Sequence, residues 1–123
     1  MRAFATMAVL AAAFAVAQPA AAADPESGQK IFKTQCSACH AVAAGRNLVG
    51  PSLFGIVGRK SGSIDGFRYS AANKGANLTW DPATLDTYLT NPKALVPGTT
   101  MTFAGIKSAE QRADVIAYLG TIK

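Results

Sequence analysis

Both cysteines of the chain and its only histidine stand within five residues, Cys36-Ser37-Ala38-Cys39-His40. Two thiols three positions apart lie on the same side of a helical turn, so both can add to the two vinyl groups along one edge of a single porphyrin. A histidine directly after the second cysteine is then held beside the porphyrin face, where its imidazole can bind iron. This pattern is typical of the attachment site of a c-type haem. We therefore expect one haem c, covalently bound through Cys36 and Cys39, with His40 as an axial iron ligand.

The second axial ligand is expected to be a methionine. Met101 is the only methionine beyond residue 7, and its surroundings, residues 96–103, have the composition of a loop. A methionine there is less easily explained as core filler than one on the apolar face of a helix. A thioether is a soft, neutral donor that stabilises ferrous iron and raises the reduction potential. With His40 and Met101 both bound, no position is left for oxygen or peroxide, which favours an electron carrier over an enzyme.

Three other interpretations fit these residues less well. Cys36 and Cys39 could form a redox-active dithiol, but no βαβ pattern accompanies them. A structural zinc site needs four ligands, and two cysteines and one histidine supply three. A gas sensor or peroxidase would keep the haem but require an open axial position, against which Met101 argues. A visible spectrum without the sharp reduced α-band of haem c would overturn the haem prediction itself.

The N-terminal segment has the features of a secretory signal peptide. Met1 and Arg2 precede an alanine-rich apolar run over residues 3–17, and alanines fill positions 20–23. A retained membrane anchor is the alternative, but the run is shorter than the about 20 apolar residues that span a bilayer. Small residues allow cleavage after Ala22 or Ala23, and we choose Ala23. The expected organisation is a cleaved signal peptide at 1–23, a single domain at 24–123, and export to the periplasm with no membrane span after cleavage.

The charge of the chain is mildly basic. Its formal net charge is +5, and loss of Arg2 with the signal peptide leaves +4 on residues 24–123. Such a charge can steer a protein toward acidic partner surfaces, an effect that weakens with salt. Nucleic acid is not an expected partner, because no basic run is interleaved with aromatic residues.

Helix signals flank two long loop regions. Asp24 and Pro25 predict the start of a helix that runs into Cys36. Glycines punctuate residues 41–66, which indicates a loop with at most short turns. A short helical turn is plausible at residues 70–74.

The second half of the chain also contains helix start and stop signals around a loop. Asp81 caps a helix that should stop at Asn91, before Pro92, with an apolar stripe of Leu85, Tyr88 and Leu89. Residues 92–106 have the composition of a loop. Ser108 and Gln111 form a capping box for the last helix. Since no useful strand pattern occurs, the predicted class is all-α with long loops.

From about residue 28 onward, the chain resembles class I cytochrome c, in the branch of mitochondrial cytochrome c and bacterial cytochrome c2. The resemblance implies a small single-domain cytochrome c fold, with helices joined by long loops around one covalently bound haem. Its specific motifs cover nearly all of the chain after the signal peptide, at residues 36–40, 50–51, 58–60, 66–74, 78–80, 88–89, 91–93, 97–99, 101 and 103–107.

The resemblance also implies roles for residues around the haem. The carbonyl of Pro51 would accept a hydrogen bond from the imidazole of His40 and so fix the ring. Tyr88 would lie near the Met101 sulfur, and Asn73 close to it in a small polar network. The residues that would hydrogen-bond or neutralise the buried propionates are Arg59, Tyr69, Trp80 and Thr99.

The implied function is one-electron transfer through the haem edge during transient docking, by a soluble monomer with no enzymatic activity. The implied donor is a quinol-cytochrome c oxidoreductase (bc1-type complex), and the implied acceptor is a terminal oxidase or a photosynthetic reaction centre. Ala94 and Thr100 stand where lysines commonly flank the methionine loop of mitochondrial forms. With its signal peptide, the chain therefore looks more like a periplasmic cytochrome c2. The basic ring around the haem edge would be thinned to residues such as Lys30, Lys33, Lys93 and Lys107.

Overall fold

The computed structural model describes residues 10–13 and 22–123. The predicted signal peptide, residues 1–23, lies outside the described residues except for 10–13 and 22–23. Between residues 22 and 123 no strand forms, only an isolated antiparallel bridge between Lys60 and Thr79. No helix in these described ranges is long and apolar enough to cross a membrane. The all-α prediction with long loops is confirmed there, the helices being α1 Pro25–Gln35, α2 Ala71–Lys74, α3 Pro82–Thr90, α4 Pro92–Leu95 and α5 Ala109–Gly120.

Side-chain caps fix where the helices begin. The Asp24 carboxylate accepts a hydrogen bond from the Glu26 N–H at the start of α1. Asp81 accepts one from the Thr84 N–H at the start of α3. Ser108 accepts one from the Gln111 N–H at the start of α5. Each cap satisfies a backbone donor that has no partner inside the helix, and all three predicted caps are confirmed.

The prediction of an uninterrupted loop over residues 92–106 is wrong at its start. Pro92 ends α3 but also begins α4, a single helical turn. Both effects have one cause, because the fixed φ of proline disfavours a helical residue before it and suits the first position of a new helix. Asn91, with φ −160°, is the one extended residue between the two helices.

The first and last helices cross at a glycine. A Cβ built on Gly28 would lie 1.9 Å from the Asp114 carbonyl oxygen, so only glycine allows the helices to come this close. Beside the crossing, the rings of Phe32 and Tyr118 pack with centroids 5.7 Å apart. Helix α3 is tied to α5 by the ion pair of Asp86 and Arg112 at 2.8 Å. This framework and the loops bury a core of Phe32, Ile56, Trp80, Leu85, Tyr88, Leu89, Val96, Ile106, Val115 and Leu119.

Candidate haem site

A cavity of about 360 Å³ lies between the helices and the long loops. Its walls are mostly apolar and include Phe32, Leu85 and Leu89. Residues far apart in sequence meet in it, because the loops carry them to the face of the core. All of the predicted site residues line this one cavity: Cys36, Cys39, His40, Pro51, Arg59, Tyr69, Asn73, Trp80, Tyr88, Thr99 and Met101.

The two cysteines lie on a turn that continues from the end of α1. Cys36 is the C-cap of α1, and its carbonyl accepts hydrogen bonds from the N–H groups of Cys39 at 3.1 Å and His40 at 3.0 Å. Burial, and to a smaller degree the nearby Cys39, raises the pKa of the Cys36 thiol to about 11. Cys36 is half-buried, whereas Cys39 is exposed. The turn therefore presents two thiols and an imidazole to one end of the cavity.

The His40 ring is fixed by one hydrogen bond. Its Nδ1 lies 2.8 Å from the Pro51 carbonyl oxygen. Because a carbonyl can only accept, Nδ1 carries the proton and Nε2 keeps a lone pair that can bind a metal. Burial lowers the pKa of His40; the Pro51 hydrogen bond opposes this shift, and the Arg59 charge adds to it. The imidazole is therefore held in its neutral, metal-binding form.

Gly50 is a site residue that sequence reasoning included only as part of a shared Gly-Pro motif. A Cβ on Gly50 would lie 2.2 Å from Cε1 and 2.6 Å from Nδ1 of His40. The Gly50 N–H donates to the Cys39 carbonyl at 2.8 Å, which holds the backbone against the ring. Nothing in the local sequence indicates this approach, since the two residues are brought together by a loop.

Met101 is held by two neighbours. The Tyr88 hydroxyl donates to the Met101 sulfur at 3.2 Å, and the Met101 N–H donates to the Thr99 hydroxyl at 3.2 Å. Burial raises the pKa of Tyr88, with a smaller opposing effect of Thr99, so its hydroxyl remains a donor through the neutral range. A thioether sulfur has two lone pairs, and the second one is left for another partner.

The four residues assigned to the propionates also line the cavity. The Arg59 guanidinium donates to the carbonyls of Ser52, at 2.8 Å, and Phe54, which fixes its position and leaves further N–H donors. The Tyr69 hydroxyl accepts a hydrogen bond from the Ile64 N–H at 3.0 Å. Trp80 is buried against Tyr88, with ring centroids 4.7 Å apart.

The Asn73 side chain carries a buried polar atom whose bonding is incomplete. Among the described residues, its Oδ1 is buried without a hydrogen-bond partner. Such an atom costs about 1–3 kcal/mol unless a bound group supplies a partner. A haem fits the cavity, because the cavity has apolar walls, two thiols, a nitrogen donor, a sulfur donor and one fixed cation.

Comparison with known proteins agrees with the fold. The family model for cytochrome c matches residues 25–123. The chain is 55% identical over 102 residues to cytochrome c2 from Rhodomicrobium vannielii, covering 82% of this chain and 81% of that protein. It is 52% identical over 96 residues to cytochrome c type-1 from Ascaris suum, covering 78% and 86%.

Among solved structures, cytochrome cH from Methylobacterium extorquens matches with a TM-score of 0.75 and 46% identity. The match covers 80% of this chain and 98% of that one. Fold and site together define a small helical protein built to hold a c-type haem. The chain belongs to the cytochrome c family, whose members carry covalently bound haem c and act as electron carriers rather than enzymes.

Proposed function

We propose that this chain is a soluble, periplasmic one-electron carrier whose haem c is bound through Cys36 and Cys39 and ligated by His40 and Met101. One observation carries the proposal. Both candidate ligands line the same cavity as the two cysteines, and each is held by a neighbour that leaves an iron-binding lone pair free. When bound, the haem supplies an iron that cycles between the ferric and ferrous states.

Neighbouring groups position the two candidate ligands, His40 and Met101. Pro51 keeps the proton of His40 on Nδ1, which fixes the ring and its basicity. Tyr88 donates to the Met101 sulfur and so positions the thioether. His40 and Met101 would both bind the iron of the haem, so that small ligands would have no access to it.

Polar residues of the cavity would hold the propionates. A buried carboxylate is costly unless it is paired or hydrogen-bonded. Arg59 supplies a fixed positive charge in the cavity. Polar groups of the same cavity come from Tyr69, Trp80 and Thr99. Asn73 lines the same cavity, and its side-chain Nδ2 hydrogens could donate to such a carboxylate.

Docking is proposed at the open edge of the cavity. Cys39 is exposed there, and Val49, which also lines the cavity, is 80% exposed. A mildly basic monomer with a small apolar contact suits weak, short-lived complexes. We propose a quinol-cytochrome c oxidoreductase of the bc1 type as donor and a terminal oxidase or photosynthetic reaction centre as acceptor, a route supported by the similarity to a bacterial cytochrome c2.

The proposal is tested on protein isolated from the periplasm of a bacterium that matures c-type haems. We expect covalently bound haem, a sharp α-band on reduction, and stopped-flow oxidation by a purified candidate acceptor at a rate that falls as salt rises. Protein found only in the cytoplasm, or protein without covalent haem, would overturn the proposal. So would tight binding of carbon monoxide to the reduced native protein at neutral pH, because it would reveal an open axial position.

A further inference from the structure

A backbone nitrogen at the predicted signal cleavage site contacts a buried carboxylate. The Asp24 N–H donates to Oδ1 of Asp114 at 2.8 Å, across 90 residues of sequence. Asp114 lies on α5 and is only 9% exposed. Carboxylates are rarely buried this deeply unless they are paired. The partner of this one is a neutral amide as long as residue 23 remains attached.

The bond between Ala23 and Asp24 lies just outside the folded core. Residues 22–24 are exposed and precede the first helix, and Asp24 has an extended backbone with φ −106° and ψ 108°. The Asp24 carboxylate accepts hydrogen bonds from the Glu26 N–H and the Ser27 hydroxyl. The cap of α1 is therefore built by Asp24 and the residues after it, and cleavage before Asp24 leaves it whole.

Hydrolysis of this bond changes the charge opposite Asp114. Water adds across the amide, so that Ala23 leaves with a carboxylate and Asp24 retains an amine that is protonated at neutral pH. A cation at the N-terminus of α1 is disfavoured by the helix dipole. Here the Asp114 and Asp24 carboxylates would offset that cost. Cleavage after Ala22 would instead place the charge on Ala23 and leave a neutral amide on Asp114.

We propose that the Ala23–Asp24 bond is the maturation cleavage site and that Asp114 receives the new α-ammonium group, so that processing adds an ion pair to the crossing of α1 and α5. The inference rests on the proposed export of the chain. It goes beyond export in assigning the new N-terminus an ion-pair partner, Asp114, whose backbone lies against Gly28 at the crossing of α1 and α5.

The cleavage site is tested by the intact mass and N-terminal sequence of the haem-loaded periplasmic protein. We expect a single species that begins at Asp24. A chain that begins at Ala23, or at any other residue, would overturn the inference, although a haem-loaded chain in the periplasm would still support the proposed function.

The ion pair is tested by titration of the Asp24 α-amine, followed by nitrogen-15 NMR in the mature protein. The charged groups near it are its own carboxylate, Glu26 and Lys30 on α1, and Glu110 and Asp114 on α5. We expect a pKa above the ordinary α-amino range of about 7.7–8.0. A value within or below that range would overturn the ion pair.

Substitution of Asp114 gives a second readout. We expect acetic anhydride to label the Asp24 α-amine at pH 7 at least about threefold faster in Asp114→Asn, because an amide no longer holds the proton on the amine. Glu110→Gln is the matched control, since Glu110 is an exposed carboxylate one turn before Asp114 on α5, and this variant should label like the wild type. Equal labelling rates in all three proteins would contradict the proposal.

Discussion

At the scale of single residues, the site depends on a glycine, Gly50, as well as on the candidate iron ligands His40 and Met101. The backbone of Gly50 lies against the His40 ring so closely that a methyl group there would enter it. The close approach also lets the carbonyl oxygen of Pro51, the next residue, accept a hydrogen bond from His40 Nδ1 at an N–O distance of 2.8 Å. Ring position and ring protonation are thus set by one dipeptide.

We expect Gly50→Ala to destabilise the folded holoprotein by about 1–3 kcal/mol and to weaken His40 ligation, because the new Cβ would lie 2.2 Å from Cε1 of the ring. Guanidinium unfolding and the visible spectrum would measure both effects. Gly75→Ala is the control, since its Cβ would make an ordinary contact, 3.4 Å from the Ala71 carbonyl oxygen. Equal stability of the two variants would contradict the steric role of Gly50.

At the scale of elements, the crossing of α1 and α5 sets the position of the cavity. Gly28 allows the contact, and Phe32, one helical turn further along α1, lies against Tyr118 and also lines the cavity. The two helices are separated by more than 70 residues of sequence, and their crossing holds together the two ends of the chain that provides the loops of the cavity.

We expect Gly28→Ala to cost about 3 kcal/mol or more, because its Cβ would lie 1.9 Å from a backbone oxygen that cannot move aside. Thermal unfolding of the holoprotein would measure the loss. Gly120→Ala is a helical control with nothing within 4 Å of its Cβ, and it should be neutral or slightly stabilising. A Gly28→Ala variant as stable as Gly120→Ala would contradict the close crossing.

The Asp81 cap of α3 makes the free energy of unfolding depend on pH in the acid range. Hydrogen bonds from Thr84 hold the pKa of the Asp81 carboxyl below its ordinary value of 3.8. The bond from the Thr84 backbone N–H has the largest effect, followed by the bond from its side chain. The folded state therefore binds the Asp81 proton less readily than the unfolded state, so this contribution is present above about pH 4 and is lost as pH falls below it.

Asp81→Asn should keep a cap at neutral pH but remove that pH dependence, since asparagine caps helices without titrating. Midpoints of thermal unfolding between pH 7 and pH 3 would then fall less steeply in Asp81→Asn than in the wild type. Parallel curves for the two proteins would show that the cap carboxylate has no part in acid unfolding.

Features that depend on neighbouring residues, such as helix caps, could be predicted from the sequence, and the resemblance to a family supplied further site residues. Asp24, Asp81 and Ser108 cap their helices because the partner of each lies two or three residues ahead. The α4 turn was missed because Pro92 signals both the end of one helix and the start of another. The approach of Gly50 to His40 and the contact of Asp24 with Asp114 were missed because each needs a tertiary fold that no local pattern encodes.

At the scale of the whole molecule, the cavity decides whether the chain folds without its haem. The cavity of about 360 Å³ is lined mostly by apolar side chains, which would face water in a chain without a bound group. The haem is therefore expected to complete the core as well as to carry the electron.

We expect the haem-free Cys36→Ser, Cys39→Ser chain to be largely unfolded, with far-ultraviolet circular dichroism far below the helix signal of the holoprotein. Addition of free haem is the control, because recovery of helix would show that the loss comes from the missing haem and not from the serines. Native helix content in the haem-free chain would contradict the dependence of the fold on the haem.

Ligation by Met101 is tested most directly by the reduction potential of Met101→Ala. Thr102→Ala is the matched control, because Thr102 lines the same cavity without a soft donor. We predict that the potential of Met101→Ala falls by on the order of 0.1 V or more, with a high-spin ferric spectrum, while Thr102→Ala keeps the wild-type values. An unchanged potential and a low-spin spectrum in Met101→Ala would contradict a His40/Met101-ligated electron carrier.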